Sequence, residues 1–257
     1  MRKTYKITIQ NIDFKPEVTK FSELDNSLEC PVILVANINN FGFDDNLMFQ
    51  KLNTKEKKQA NKFKVEKPKK TYILTHFLNY YFLQKFHFLP NELRDYQTGK
   101  FGKPFFKNKP GLCFNISHAQ NRVALAYFKH EIGTDIEHIK ADKEQINLVS
   151  QHYFTRTENE QISNNNNLFY KFWTKKESVL KAIGCGITDE LTKIETAHHS
   201  QKLALEEDVF KDFDRKKLFI WSEKLNDYYL SICSPKAFTK IKLVEISEND
   251  IKHANKA

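Results

Sequence analysis

The stretch Asn167 to Ile183 constrains the rest of this chain more than any other, because it is strongly periodic and breaks its own pattern. At about 100° per residue, Phe169, Phe172, Trp173, Val179, Leu180 and Ile183 gather on one side, a stripe that must be buried against another layer, and Gly184 supplies the C-terminal stop. Beside it lies a second face of Tyr170, Thr174, Glu177 and Lys181, on which Glu177 and Lys181 stand four apart and point the same way. Lys176 falls near the middle of the apolar stripe. A charge there must snorkel or find an anionic partner, and a polyanionic ligand would supply one. The plainer reading of the same residues is an exposed Glu/Lys pair with a snorkelling lysine on a surface helix.

The layer that receives this helix is legible as strands. Tyr5, Ile7 and Ile9 alternate with polar neighbours, and Val32 to Ile38 is a continuous apolar run suited to a central strand. Residues 53 to 65 read as a basic helix capped by Asn53 or Thr54. Pro68 opens a second long helix, about Lys69 to Phe86, apolar almost all round and therefore buried. Strands Leu112 to Ile116 and Val123 to Phe128 are joined by SHAQN, and Ile132 to Ile139 follows. A polar helix near Lys143 to His152 and a short helix with Thr157 and Glu160 as a capping box lead into the opening stretch. The tail gives strands Ile187 to Ile194, Leu218 to Ser222 and Tyr228 to Cys233 around an Asn226-Asp227 turn, and Lys240 to Val244. Strands with one long helix in each half predict an α+β fold of two similar layers, divided at residues 1–115 and 116–257. No glycine-rich dinucleotide or phosphate loop is present.

A hydrophobic fraction of 40% with 22 Phe and 10 Tyr excludes intrinsic disorder, and no apolar run spans a bilayer. The N-terminus alternates rather than forming an apolar block, so it reads as a strand and not a signal peptide, and the protein is expected in the cytoplasm without a membrane partner; a monomer that binds no nucleic acid is the accompanying expectation. Cys30, Cys113, Cys185 and Cys233 form no CxxC pair and suit a reducing compartment. The net charge of +9 attracts acidic partners or phosphorylated ligands, although lysine-rich usage alone does not choose between them.

Chemistry enters at Gly133-Thr134-Asp135-Ile136-Glu137, where the strand period of two sends Asp135 and Glu137 to one face. Two neighbouring carboxylates repel unless a cation sits between them, and hard oxygen ligands suit magnesium; a solvated acidic face is the alternative. With Glu177 added, three carboxylates plus Lys176 and Lys181 would hold a metal-bound pyrophosphate. Asn115, Ser117 and His118 end the preceding strand, and His118 and Ser117 are candidate phosphate contacts, or a capped turn. In GKPFF, Gly102 allows close backbone approach and Lys103 is a further phosphate candidate.

GKPFF (Gly102 to Phe106), FNISH (Phe114 to His118), IGTDIE (Ile132 to Glu137), HYFTRTE (His152 to Glu158) and FWTKKESVLKAIGCGI (Phe172 to Ile187) follow one another at set spacings. In order and spacing they resemble the 4′-phosphopantetheinyl transferases of the surfactin-synthetase-activating type, over roughly residues 50 to 195. The resemblance implies two α+β subdomains related by pseudo-twofold symmetry, with coenzyme A and magnesium in the cleft between them. The implied reaction transfers the phosphopantetheine arm to a serine of an acidic acyl or peptidyl carrier protein and releases adenosine 3′,5′-bisphosphate.

By position Asp135, Glu137 and Glu177 resemble the metal carboxylates, Lys181 the lysine on the pyrophosphate with Lys176 near it, and His118 the 3′-phosphate ligand with Ser117 and Lys103 beside it. Glu177, then Glu137, is the implied base. Lys70 is the preferred match to a family arginine on the 3′-phosphate, with Lys69, Lys58 and Lys55 as lesser candidates. Glu158 falls on a family glutamate without an assignable role. Two other readings stand beside this one: a magnesium-dependent nuclease using the same acidic cluster, and a non-catalytic basic binding module.

Overall fold

A computed structural model describes residues 3–25, 27–41, 45–85, 96–106, 111–140 and 142–254. The chain runs β1 (Tyr5–Asn11), β2 (Glu17–Val18), β3 (Val32–Asn37), α1 (Asp45–Lys51), α2 (Thr54–Ala60) and α3 (Glu66–Lys85). A small hairpin of β4 (Gln97–Thr98) and β5 (Pro104–Phe105) precedes β6 (Cys113–Ala119), β7 (Arg122–Phe128) and β8 (Gly133–His138). Then come α4 (Lys143–Tyr153), α5 (Arg156–Asn164), α6 (Asn167–Ile183), β9 (Ser200–Leu205), β10 (Lys217–Leu225), β11 (Tyr228–Ser234), β12 (Lys242–Ile246) and α7 (Glu248–Ala254).

Two five-stranded sheets result, ordered β8-β11-β10-β1-β9 and β2-β12-β3-β7-β6. The period of two explains how they stack. Along β3 and β7, Leu34, Leu125 and Tyr127 face α3, and the Phe82 ring lies on Tyr127 at 3.7 Å. Their neighbours Ile33, Val35, Ala124 and Ala126 face Trp221, Leu230 and Ile232 of the other sheet. On that sheet's far side Val179 and Leu180 of α6 meet Ile7, Ile9, Leu218 and Ile220. Helix, sheet, sheet and helix are therefore layered, and each of these fully buried Leu, Ile and Val side chains contributes about 1.5–3 kcal/mol. β3 is covered on both faces, which is why its sequence is an unbroken apolar run rather than an alternation.

The expected α+β class holds, and α6 spans the residues read for it, with Gly184 at φ 82° closing it. The division at 115/116 falls inside β6, and the chain's ends cross over. β1 pairs in parallel with β10 in the sheet of the later strands, and β12 pairs in parallel with β3 in the sheet of the earlier ones.

Two local expectations are corrected, and one strand is added. Residues expected as a strand from Ile187 to Ile194 form a 3-10 helix, Asp189–Lys193, because the Thr188 hydroxyl accepts from the Glu190 N–H and starts a turn. The capping box before α5 is Thr155 with Glu158, not Thr157 with Glu160. β9 was not expected; its buried positions Leu203 and Leu205 pair with β1, while Ser200, Lys202 and Ala204 on its other face are exposed.

Candidate active site at the seam between the sheets

The outer strand of each sheet, β6 and β8, lies against the other, but no backbone ladder joins them. Side chains bridge instead. Thr134 N–H donates to Asn115 Oδ1 at 2.9 Å, and Ile136 N–H donates to Ser117 Oγ at 3.3 Å. FNISH is thus stitched to GTDIE. From the other side α6 presses onto β8 so closely that a Cβ at Gly133 would stand 2.2 Å from Ser178 O and Ala182 N. Glycine is needed there for close approach rather than for an unusual φ, and that approach brings Lys181 to Asp135.

Asp135 is buried. Its Oδ1 accepts from Ser117 Oγ at 2.8 Å and from Lys181 Nζ at 2.7 Å, and Lys181 also donates to Ser117 Oγ at 3.0 Å. Burial pushes the Asp135 carboxyl up, against the pull of Lys181. Glu137 and Glu177, both half-buried, are pushed up to about 7, first by burial and then by the charge of Asp135. Carboxylates that repel one another at a desolvated site are what a bound cation relieves. Two buried oxygens, Asp135 Oδ2 and Glu177 Oε1, have no hydrogen-bond partner. These acids fit a hard divalent cation in donor chemistry, although among the described residues no three His, Cys, Asp or Glu side chains already converge as a cage.

Three cavities surround the cluster. One of about 360 Å³ is lined by Lys103, Lys181, Asn115, Phe101, Gly102 and Cys185. Across Ile116 lies one of about 590 Å³, lined by His118, Lys67, Thr71, Tyr72, His76 and Gln120. A third, of about 270 Å³, has Glu137 and Lys140 at one side and Tyr170, Trp173, Val149 and Tyr153 as an apolar wall.

The structure brings Asp135, Glu177, Lys181 and Ser117 together with Glu137, and sets His118 at the mouth of the cavity of about 590 Å³. His118 is exposed at its edge, yet enough protein surrounds the ring that desolvation, then Lys181, lower its pKa. Lys103 reaches the cavity of about 360 Å³ with its ammonium already committed to Glu131 and to Ala182 O at 2.6 Å.

Lys176 is not brought to the site. It lies fully buried behind α6, bonded to Glu158 Oε2 at 2.8 Å and to the carbonyls of Leu191 at 3.0 Å and Ile194 at 2.5 Å. The anion demanded by the apolar stripe is Glu158, not a ligand. Glu158 in turn accepts from Thr196 N at 2.9 Å, Thr196 Oγ1 at 2.7 Å and Thr155 N at 3.0 Å.

Lys70 also stands elsewhere, against Glu66 at 3.4 Å and beside Lys69 in a separate hollow of about 290 Å³, while Lys55 and Lys58 are exposed on α2. The α3 cation that shares His118's cavity is Lys67. Lys67, Thr71 and Thr75 recur every four residues on one helix face, a period that would have found them had the helix been started two residues earlier. Asn115 was likewise within reach, since it shares a strand face with Ser117.

Residues 131–233 match the family model of the 4′-phosphopantetheinyl transferase superfamily, so the resemblance carried by the motifs is borne out over that segment. The chain is 34% identical over 107 residues to the 4′-phosphopantetheinyl transferase gsp of Aneurinibacillus migulanus, covering 38% of this chain and 42% of that one. It is 31% identical over 110 residues to the 4′-phosphopantetheinyl transferase Sfp of Bacillus subtilis (40% and 47%). With the L-aminoadipate-semialdehyde dehydrogenase-phosphopantetheinyl transferase of Candida glabrata the identity is 28% over 159 residues (58% and 61%). The chain spans about half the length of these relatives. Among the described residues, no helix is long and apolar enough to cross a membrane.

Proposed function

We propose that this protein is a 4′-phosphopantetheinyl transferase, moving the phosphopantetheine arm of coenzyme A onto a serine of an acyl or peptidyl carrier protein. The observation that carries the reading is the seam cluster: Asp135, Glu177 and Lys181 together between three cavities, with two buried carboxylate oxygens unpartnered. The matched segment 131–233 contains all three residues.

Asp135 Oδ2 and Glu177 Oε1, with Glu137 beside them, would hold magnesium, which when bound neutralises charge on the pyrophosphate. Lys181 adds a fixed positive charge next to it, already oriented by Ser117 and Asp135. The carrier serine oxygen forms a bond to the phosphorus nearer the pantetheine, the bond to the bridging pyrophosphate oxygen breaks, and adenosine 3′,5′-bisphosphate leaves. The serine proton passes to Glu177, or to Glu137 as second choice, directly or through a water on the metal. His118 and Lys67 grip the 3′-phosphate end. The +9 charge steers an acidic carrier, and among the described residues of 139 to 155 the large apolar side chain left open to it is that of Leu148, 58% exposed, while Ile146 and Phe154 are spent in the core.

Intact mass of a purified carrier protein after incubation with this protein, coenzyme A and magnesium tests the reaction: the mass should rise by one phosphopantetheine per carrier. An unmodified carrier, with nucleic acid cut in a parallel reaction, would favour the nuclease instead. Leu148→Asp should raise the Michaelis constant for carrier and leave that for coenzyme A unchanged.

A further inference from the structure

Ser117 is 6% exposed, and its hydroxyl is fully used inside the protein. A hydroxyl has one hydrogen to give and two lone pairs to fill. The hydrogen goes to Asp135 Oδ1 at 2.8 Å; Ile136 N–H at 3.3 Å and the Lys181 ammonium at 3.0 Å take the lone pairs. Nothing is left to donate to a phosphate. Asp135 is divided in consequence: Oδ1 accepts from two donors, whereas the buried Oδ2 accepts from none.

A carboxylate gripped by one oxygen has a set rotation about its terminal bond. We infer that Ser117 is a positioning residue, which turns Asp135 so that Oδ2 is presented to a divalent cation, while Asn115 holds β8 in register beside it through Thr134 N–H. The inference deepens the proposed function and rests on it for what the cation serves. It parts from a reading of Ser117 as a coenzyme A contact, because the hydrogen that such a contact needs is already donated. Partners that orient a metal ligand in this way are worth about 10- to 100-fold in metal affinity.

Calorimetric titration of Mn²⁺, without coenzyme A or carrier, tests this directly. Ser117→Ala should bind Mn²⁺ roughly 10- to 100-fold more weakly than wild type. Ser117→Thr, which keeps the hydroxyl, should recover most of the affinity. In transfer kinetics, Ser117→Ala should need more metal for half-maximal rate while its Michaelis constant for coenzyme A stays near the wild-type value.

Mn²⁺ affinity unchanged by Ser117→Ala, or no Mn²⁺ uptake by the wild type, would overturn the assignment. So would a Michaelis constant that rises for coenzyme A but not for dephospho-coenzyme A, the mark of a ligand contact. If Ser117→Ala does not fold, Ser117→Cys, with its weaker donor, is read in the same titration, and full affinity there overturns the inference as well. Because the titration involves no transfer, a wild type that modifies no carrier but shows this Mn²⁺ pattern would remove the proposed reaction and leave the positioning role standing.

Discussion

Along β8 the charged groups of the site are held by one another: Asp135, Ser117 and Lys181 share one set of hydrogen bonds under α6, and Glu158 fixes Lys176 behind them. Along the start of α3 they stand in solvent. Lys67 is exposed with its ammonium 3.5 Å from Gln120, and Lys70 leans on Glu66 across one helical turn, a contact of a few tenths of a kcal/mol. Where burial forces every donor to find an acceptor, a residue has one place to go, and spacing in the sequence translates into geometry. Where water satisfies the ammonium, Lys67, Lys69 and Lys70 are equivalent as sequence, and three positions along a helix decide which cavity a lysine enters.

The largest effect that would sharpen this contrast is at the buried acids. Asp135→Ala and Glu177→Ala should each lower carrier modification by at least about a thousandfold, roughly 4 kcal/mol, with folding intact by circular dichroism. Near wild-type turnover in either variant at saturating magnesium would break the assignment of the metal side.

Next comes the pair behind the helix. Glu158→Ala leaves a buried ammonium without its anion and should cost about 3–5 kcal/mol of stability, read as a lower denaturation midpoint. Replacing both partners, as Glu158→Gln with Lys176→Met, should cost less than either single truncation. A loss equal to the sum of the two single losses would mean that the pair is not coupled.

Lys175, also buried, gives a pH signature. Its Nζ donates to Thr196 O at 3.2 Å, and burial lowers its pKa from the ordinary 10.5 to about 7. Between those values the unfolded chain carries the extra proton, so this group makes stability rise with pH from about 7 towards 10.5, by at most about 1.4 kcal/mol per pH unit. Below 7 its contribution is flat. Unfolding of Lys175→Met against wild type should show a shallower rise and a more stable variant at pH 7; parallel curves would refute the shift.

The smallest effect belongs to the open side. Lys67→Ala should weaken coenzyme A binding about three- to fivefold and dephospho-coenzyme A less, with Lys70→Ala near wild type, because exposed charge contacts are worth up to about 1 kcal/mol. Titration calorimetry that finds Lys70 the more important would reverse the comparison.

Much of the fold and of the metal side was legible because local patterns there agree with tertiary need. The helical wheel of 167–183 placed Lys176 in a buried stripe and so required an anion, and the period of two paired Asp135 with Glu137. The identity of that anion was not legible, since Glu158 lies on a different helix and reaches Lys176 only through packing. β9 escaped for a related reason: Ser200 to Leu205 offers two buried positions, and its strand character comes from pairing with β1, nearly two hundred residues away. Lys67 escaped because a helix start shifted by a few residues costs nothing that a sequence pattern records.

The crossed ends of the chain also bear on how such a molecule is made. Thr8 lies beside Lys217, and Leu34 beside Val244, so each early strand waits for a partner synthesised roughly two hundred residues later. Closing contacts of that sequence separation carries a loop entropy that local helices do not, and folding slows accordingly. On the ribosome neither sheet is complete until β11 and β12 have emerged. A nascent or truncated chain lacking residues 242–246 would leave β3 with an unpaired edge, apolar on both faces, a surface that chaperones bind and that aggregation exploits.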